Sequence, residues 1–291
     1  MTDTELLPLP PTLTKADPNS VKTYQMKTGS LLYAAITTRP DIAFAVSRLA
    51  RFNQNPSEEY HNAADRVIRY LYNTRGWAIA YRGSVESVRR HTGARAFVCA
   101  SDASFADNTA DRKSSQGYVM TLFGGPIAWR ANKQDTVTTS STEAELLALS
   151  QTAKEAILMS RLFKVMTLKL NEPLIINCDN TQTLRLLRES SAKLITKLRH
   201  VDIHQHWLRQ EYAAKRVQFE WIPTEEMIAD GLTKALPKQK FNTFVRMVGM
   251  VDITERLRAE KRMEALKEIL QARKADENPE VIIRLRRSTP K

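Results

Sequence analysis

Cysteine is nearly absent: the 291 residues hold two, Cys99 and Cys178. Two cysteines cannot build a disulfide framework, which fits a reducing compartment and an intracellular protein, cytoplasmic or nuclear. Long apolar runs are absent too. The longest charge-free stretch, Ser114 to Trp129, is broken by Gly117, Gly124, Gly125 and Pro126, so no membrane span is expected. The opening Met1-Thr2-Asp3-Thr4-Glu5 has neither a basic nor an apolar leader segment, and no secretory signal is expected. No internal repeat is visible. Acids are in deficit, with 32 Asp and Glu against 44 Lys and Arg, a net charge of +12. That excess points to a polyanionic partner, either nucleic acid or an anionic membrane surface. Apolar residues at 42% and charged residues at 26% argue against a mostly disordered chain. The length suits one large or two ordinary domains.

Along the chain, Pro8, Pro10, Pro11 and Pro18 predict a flexible arm over residues 1–22, because proline lacks the amide hydrogen a helix needs. From 23 to 83 the spacing is helical. Thr38-Arg39-Pro40-Asp41 and Asn55-Pro56-Ser57-Glu58-Glu59 both read as helix starts. Ile42, Val46 and Leu49 line one face, and Ala64, Val67, Ile68 and Leu71 the next. Trp77 to Arg82 fits a short strand, and the polar stretch Gly83 to Arg95 is the expected boundary. The rhythm then changes. Ala96 to Ala100 and Leu174 to Cys178 are short apolar runs that read as buried strands. Gly124-Gly125 reads as a hairpin turn between two more strands. Ser140-Ser141-Thr142-Glu143 has capping-box spacing and opens a long helix to about Met166. Helices are expected over Thr181 to Glu189 and Val201 to Tyr212. Val217 to Ile222 alternates as a strand, and Pro223-Thr224-Glu225-Glu226 opens a final helix. The order from Ala96 is βββαβααβα, a mixed sheet packed by helices. Thr254 to Glu277 reads as a solvated helix rather than a partner seam, and Arg284 to Lys291 as a basic end, so that 253–291 forms a basic helical tail.

Asp102 and Asp179 each follow an apolar strand-like run, Asp230 sits behind the last strand, and Glu143 or Glu145 comes from the capping segment. Carboxylates crowded at a sheet edge repel unless a cation holds them. Mg²⁺ takes oxygen ligands and keeps waters that can act as nucleophiles. On spacing alone a second reading stands beside this one, in which the acids cap helices or face solvent.

Several strings, in order, add to the pattern: Ser101-Asp102-Ala103-Ser104-Phe105-Ala106-Asp107, Asp111-Arg112-Lys113-Ser114-Ser115-Gln116-Gly117-Tyr118, Ser140-Ser141-Thr142-Glu143-Ala144-Glu145, Cys178-Asp179-Asn180, Arg199-His200-Val201-Asp202-Ile203, Trp221-Ile222-Pro223-Thr224-Glu225 and Ala229-Asp230-Gly231-Leu232-Thr233-Lys234. Together they resemble the ribonuclease H domain of copia-type LTR retrotransposon Pol polyproteins. Gly29-Ser30-Leu31-Leu32-Tyr33 and Thr38 to Val46 are similar to the stretch joining that family's reverse transcriptase to its ribonuclease H. The resemblance covers about Thr23 to Val251. It implies an α/β fold, a ribonuclease H-like mixed five-stranded sheet flanked by helices over 95–252, preceded by a small helical connection-type subdomain. The implied activity is metal-dependent endonucleolytic hydrolysis of the RNA strand of RNA–DNA hybrids, with two Mg²⁺ ions or Mn²⁺. The implied carboxylates are Asp102, Glu145, Asp179 and Asp230. Glu145 is preferred because the family's helix carries the acid just before a Leu-x-Ala pattern, matched by Glu145-Leu146-Leu147-Ala148, which leaves Glu143 to cap.

The implied partners are an RNA–DNA hybrid and other parts of the element's reverse transcriptase, with no membrane. Arg112, Lys113, Lys133 and Asn180 are candidates for nucleic-acid contact, with ordinary surface charge as the other reading of the three cations. Arg66, Arg69 and Arg75 divide in the same way between hybrid contact and a solvated helix face. Ser104 stands where many members carry a second acid, and the family's cellular counterparts have a mobile histidine that 223–230 lacks. His200 is the available proton shuttle, with a structural role the stronger expectation. His200 and His204 share zinc-ligand spacing without further ligands nearby. Buried packing is expected for Cys99 and Cys178, and core packing for Trp129, Trp207 and Trp221. No Tyr-x-Asp-Asp string, integrase-type zinc module or aspartic-protease triplet occurs, so the chain reads as the C-terminal fragment of an element polyprotein. A catalytically inactive nucleic-acid-binding remnant is the alternative.

Overall fold

Helix formation begins earlier than the proline content suggests. The computed structural model describes residues 15–81, 96–168, 170, 173–189 and 198–276. Helix α1 (Pro18–Thr37) starts inside the expected flexible arm, with Pro18 in its first turn. A first-turn amide has no intrahelical partner, so proline loses nothing there. Asp17 caps the start, its carboxylate accepting from the amides of Asn19 at 3.0 Å and Ser20 at 3.1 Å. Residues 1–14 of the expected arm, the expected boundary at 83–95 and the basic end beyond 276 lie outside the described residues.

A 3₁₀ turn (Pro40–Ile42) leads to α2 (Ala43–Ala50), and α3 (Glu58–Asn73) follows. Arg39 locks these helices together. Its guanidinium donates to both oxygens of Asp41 at 2.9 and 2.7 Å, and to the carbonyl and hydroxyl of Thr74 at 3.2 and 2.7 Å. The Tyr70 hydroxyl also donates to Asp41, at 2.7 Å. A buried bidentate ion pair with its other lone pairs satisfied tolerates removal from water, and loss of one partner strands the other charge.

The main sheet comprises β2 (Phe97–Ser104), β3 (Ser115–Leu122), β4 (Gly125–Lys133), β5 (Leu174–Cys178) and β6 (Val217–Trp221). Its order is β4-β3-β2-β5-β6, antiparallel across β4, β3 and β2 and parallel from β2 through β5 to β6. This mixed order and direction is the ribonuclease H-like arrangement. The β3–β4 turn sits one residue earlier than Gly124-Gly125 suggests. Leu122 pairs with Gly125, and the two turn residues with positive φ are Phe123 (50°) and Gly124 (80°). Gly125 belongs to the strand, where a side chain would strike the Tyr81 ring.

Helices cover both faces. One carries α4 (Ser141–Val165), α5 (Thr181–Arg188) and α6 (Arg199–Ala213), packed through Leu146, Leu149, Ala153, Leu184 and Leu208 onto Phe97, Cys99, Met120, Ile176 and Phe219. The other face carries α1 to α3 together with α7 (Asp230–Thr233) and α8 (Lys238–Met247). Expected as one helix from Pro223, this last stretch is broken into a 3₁₀ turn (Thr224–Glu226), α7 and α8. Pro237 separates α7 from α8, since a proline cannot continue a helix that precedes it. Two short strands, β1 (Trp77–Ile79) and β7 (Met250–Asp252), pair antiparallel and join the N-terminal helices to the far end of the fold. The tail helix α9 (Thr254–Asp276) is exposed over 255–268, in keeping with the solvated reading. Among the described residues no helix is long and apolar enough to cross a membrane.

The N-terminal helices share a core with the sheet. Tyr24, Val46 and Val67 pack in one cluster with Val119 of β3, Leu232 of α7 and Val248. Trp129 Nε1 of β4 donates to the Ala35 carbonyl at 2.7 Å, and Arg48 meets Asp107 at 2.9 Å. Removing residues 1–83 should therefore uncover Val119, Trp129 and Leu232 and abolish cooperative unfolding. Denaturant titration followed by circular dichroism checks this, and an unchanged, cooperative transition in the shortened chain contradicts it.

Candidate active site

The parallel pairing of β2 with β5 brings two acids to one end of the sheet. Val98 lies opposite Ile175 and Ala100 opposite Asn177, so Asp102, two residues further along β2, stands beside Asp179, just past the end of β5. Asp102 is 1% exposed. The strand does not stop before it, as the sequence suggests, but runs on to Ser104. Glu145 enters from α4 because Ala144 and Ala148, both small, let that helix close on Ala103. Its Oε1 accepts the Ala103 amide at 3.3 Å, and its Oε2 is buried without a partner among the described residues. One carboxylate oxygen from each of Asp102, Glu145 and Asp179 lies within 4.8 Å of the others.

Asp230, the first residue of α7, joins this group through a cation. Lys234 Nζ lies 2.6 Å from Asp230 Oδ1 and 3.3 Å from Asp102 Oδ1. The Thr233 hydroxyl donates to the other oxygen of Asp102. Gly117 makes this possible. It pairs with Asp102 across β2 and β3, and a Cβ there would lie 2.7 Å from Leu232 Cβ and 3.0 Å from the Arg130 carbonyl. Without a side chain at 117, α7 lies directly on the sheet. Lys234 and Thr233 are functional groups to which the sequence alone assigns no role. The signal available for Lys234 is its spacing of four from Asp230, the separation at which a turn of helix brings two side chains together, although Lys234 itself lies just past α7.

Burial and mutual repulsion both favour the neutral acids. Asp102 is pushed up to about 6 chiefly by burial, with Lys234 opposing and Asp230 adding to the rise. Glu145 is pushed well above the usual carboxylate range by burial and by Asp102 and Asp179. The ammonium of Lys234 is held above its ordinary range by Asp102 and Asp230, which outweigh its desolvation. A hard divalent cation fits this set: three oxygens converge, and one buried carboxylate oxygen lacks a donor.

The other candidates separate. Glu143 caps α4: its Oε2 accepts the Thr139 amide at 2.6 Å and hydroxyl at 2.8 Å, while Ser140 Oγ accepts the Glu143 amide. Asn180 caps α5, accepting the Thr183 amide at 3.0 Å. Arg112 and Lys113 lie in the loop between β2 and β3, and Lys133 ends β4 at the same edge of the sheet, 2.6 Å from Asp111. His200 Nε2 lies 3.2 Å from Thr136 Oγ1, in a polar cavity with Gln134, Ser150 and His204 whose lining includes none of the four acids. Cys99 and Cys178 are free and buried, with both thiols pushed up by desolvation. Trp221 departs from the core packing expected of it. It is 51% exposed, and its Nε1 donates to the Asp179 carbonyl at 3.2 Å. Its parity in β6 is inward, but it is the last residue of the strand and extends beyond the helices that cover Val217 and Phe219.

No family model matches the chain. It is 36% identical over 241 residues to a retrovirus-related Pol polyprotein from transposon TNT 1-94 of Nicotiana tabacum, covering 82% of this chain and 17% of that protein. It is 31% identical over 231 residues to the corresponding polyprotein from transposon RE2 of Arabidopsis thaliana, covering 79% of this chain and 15% of that one. The chain thus spans about a sixth of the length of these relatives. Among solved structures, the N-terminal RNase H domain of a Mycobacterium tuberculosis protein is similar with a TM-score of 0.36 at 14% identity, covering 52% of this chain and 96% of that one. The strand order and directions, rather than that superposition, define the fold.

The raised acids set a pH dependence. A carboxyl that binds its proton more tightly folded than unfolded contributes stability present below its unfolded pKa. That contribution is lost as pH rises through the folded value. For Asp102 the window runs from about 4 to about 6. At about 1.4 kcal/mol per unit, the penalty at neutral pH is on the order of 3 kcal/mol. His204, lowered by burial, works in the opposite direction, so the comparison needs a variant that removes only the acid. Without metal, raising the pH from 5 to 7 should lower Tm more in the wild type than in Asp102→Asn. Mn²⁺ should raise the wild-type Tm more at pH 7 than at pH 5. Parallel pH profiles for the two proteins, with Mn²⁺ inert at both, contradict the assignment.

Proposed function

The chain belongs to the copia-type family of retrovirus-related transposon Pol polyproteins, and from that premise we propose that it is a metal-dependent endonuclease acting on the RNA strand of RNA–DNA hybrids. The observation that carries this reading is the convergence of Asp102, Glu145 and Asp179 within 4.8 Å, beside Asp230, at one end of a ribonuclease H-like sheet. These residues would hold Mg²⁺, or Mn²⁺ in its place. Bound there, divalent ions supply an activated water and charge stabilisation for the leaving oxygen of a phosphodiester. The chain's own contribution is to fix the acids. Thr233 orients Asp102 and the Thr224 hydroxyl holds Asp179 Oδ2 at 2.9 Å, while the Ala103 amide orients Glu145.

A groove that shares Lys234 with this site runs between α3 and the α7–α8 segment. Arg66, Arg69 and Tyr70 of α3 line it together with Gly231, Lys234 and Phe241. From there Arg66 and Arg69 would meet a hybrid that reaches the acids past Lys234. Arg75 is elsewhere, 4.7 Å over the Tyr72 ring. Contacts from the groove to phosphate would position a duplex without reading its sequence. Arg112, Lys113 and Lys133, at the end of the sheet toward which Asp102 lies on β2, would extend the basic surface. The exposed Trp221 offers an aromatic face beside Asp179.

The second reading is a catalytically inactive nucleic-acid-binding remnant, and Lys234 favours it, because an ammonium already neutralises part of the acid group. A cleavage assay on a labelled RNA–DNA hybrid separates the two. On the first reading the intact chain cuts the RNA strand with Mg²⁺ or Mn²⁺, and Asp102→Asn, which keeps the volume and removes the charge, loses several orders of magnitude while still binding. A hybrid left intact by the wild-type chain across both metals establishes the second. Binding itself should weaken as salt rises. Replacing Arg66 and Arg69 by Ala should flatten that dependence by about 0.9 in log–log slope for each phosphate that is no longer neutralised. An unaltered slope in fluorescence-anisotropy titrations would place the hybrid elsewhere.

A further inference from the structure

The acid group is divided into two unequal halves. On one side, Glu145 Oε2 is buried with no partner among the described residues, and one carboxylate oxygen of Glu145 lies within 4.8 Å of one from Asp102 and one from Asp179. On the other, Asp102 and Asp230 do not meet directly. They share the Lys234 ammonium, at 3.3 and 2.6 Å. Lys234 reaches this position by a short tether. It follows α7, four residues after Asp230, and its side chain remains 37% exposed toward the groove of Arg66 and Arg69. The position is therefore one from which it can withdraw along the groove without unfolding the helix.

Resting on the metal-dependent reading above, we propose that Lys234 is a tethered competitor for a cation between Asp102 and Asp230, holding the two carboxylates together when no ion is bound there and yielding when one enters. The physical case is charge. Buried carboxylates this close need a counter-charge, and the chain supplies one from its own helix. A divalent ion bridging Asp102 and Asp230 would occupy the same space as the ammonium, and two cations of like sign cannot both be accommodated. Among the described residues no cation occupies the Glu145–Asp179 half in this way. Two ions should thus bind with different strength, one largely independent of Lys234 and one in competition with it. Lys234 is in this sense a positioning residue with a gating effect on metal uptake.

The test is Mn²⁺ alone, titrated calorimetrically into the full-length chain, with melting temperatures measured at each end of the titration. Wild type should show a stronger and a weaker class of sites. In Lys234→Met, of similar length but uncharged, the weaker class should tighten by about tenfold or more, the equivalent of removing one close opposing charge. The metal-free protein should melt lower, so that the rise in Tm on adding Mn²⁺ exceeds that of the wild type. A purely structural role would lower both melting temperatures together and leave the isotherm unchanged, and that result overturns the proposal. Arg69→Met removes a positive charge from the same groove without touching the acids. If it tightens Mn²⁺ as much as Lys234→Met does, general electrostatics explains the effect and the proposal is overturned. Should Lys234→Met not fold, Lys234→Gln, which keeps hydrogen-bond donors and removes the charge, carries the same expectation. Wild type and variant binding Mn²⁺ identically overturns this inference alone, whereas no binding by either overturns the metal-dependent reading with it.

Discussion

Repulsion among carboxylates buried at the end of a sheet is the constraint on which the rest of this structure depends. Asp102 is almost wholly removed from water, and Glu145 and Asp179 each present an oxygen within 4.8 Å of it. Left to themselves, these groups would separate or take up protons. The fold prevents separation by drawing each acid from a different rigid element: a central strand, the start of a long helix, and the end of a parallel neighbour. Parallel pairing of β2 and β5 sets the first distance, and small residues at Ala103, Ala144 and Ala148 set the second. The charge is met by Lys234, which directly follows a helix that Gly117 admits to the sheet surface.

This geometry explains why the N-terminal helices are not an appendage. α7 lies between the sheet and α2, and its Leu232 packs in the same cluster as Val46 and Val119. The element that places Lys234 over Asp102 is thus buttressed by residues from the first third of the chain. The groove lined by Arg66, Arg69 and Lys234 is a consequence of that packing, so this groove and the acid group are built by the same contacts. Two cations of α3, Arg66 and Arg69, share that groove with Lys234.

Much of this is legible in the sequence because the signals are local or rest on several strings in fixed order. The apolar runs before Asp102 and Asp179 announce buried strands, and Ser140 with Glu143 announces the start of α4. Glu143 and Glu145 are two residues apart, and a helix sends such neighbours to different faces. One caps the helix and the other faces the sheet. What is not legible depends on contacts between distant segments. Lys234 looks like any surface lysine until Gly117, more than one hundred residues earlier, lets its helix settle on Asp102. The pairing of β1 with β7 joins segments at opposite ends of the chain and leaves no periodic mark. Pro18 misleads because the same residue that breaks a helix interior is well suited to its first turn, and Trp221 because strand parity does not reveal where the covering helices stop.

The most direct measurement of the central claim is the anomalous scattering of Mn²⁺ in crystals of the chain grown with the ion. A peak is expected among Asp102, Glu145 and Asp179, with Glu145 Oε2, which has no donor among the described residues, as one of the ligands. Crystals equilibrated with millimolar Mn²⁺ that show no peak there, with Lys234 still bridging Asp102 and Asp230, would contradict it.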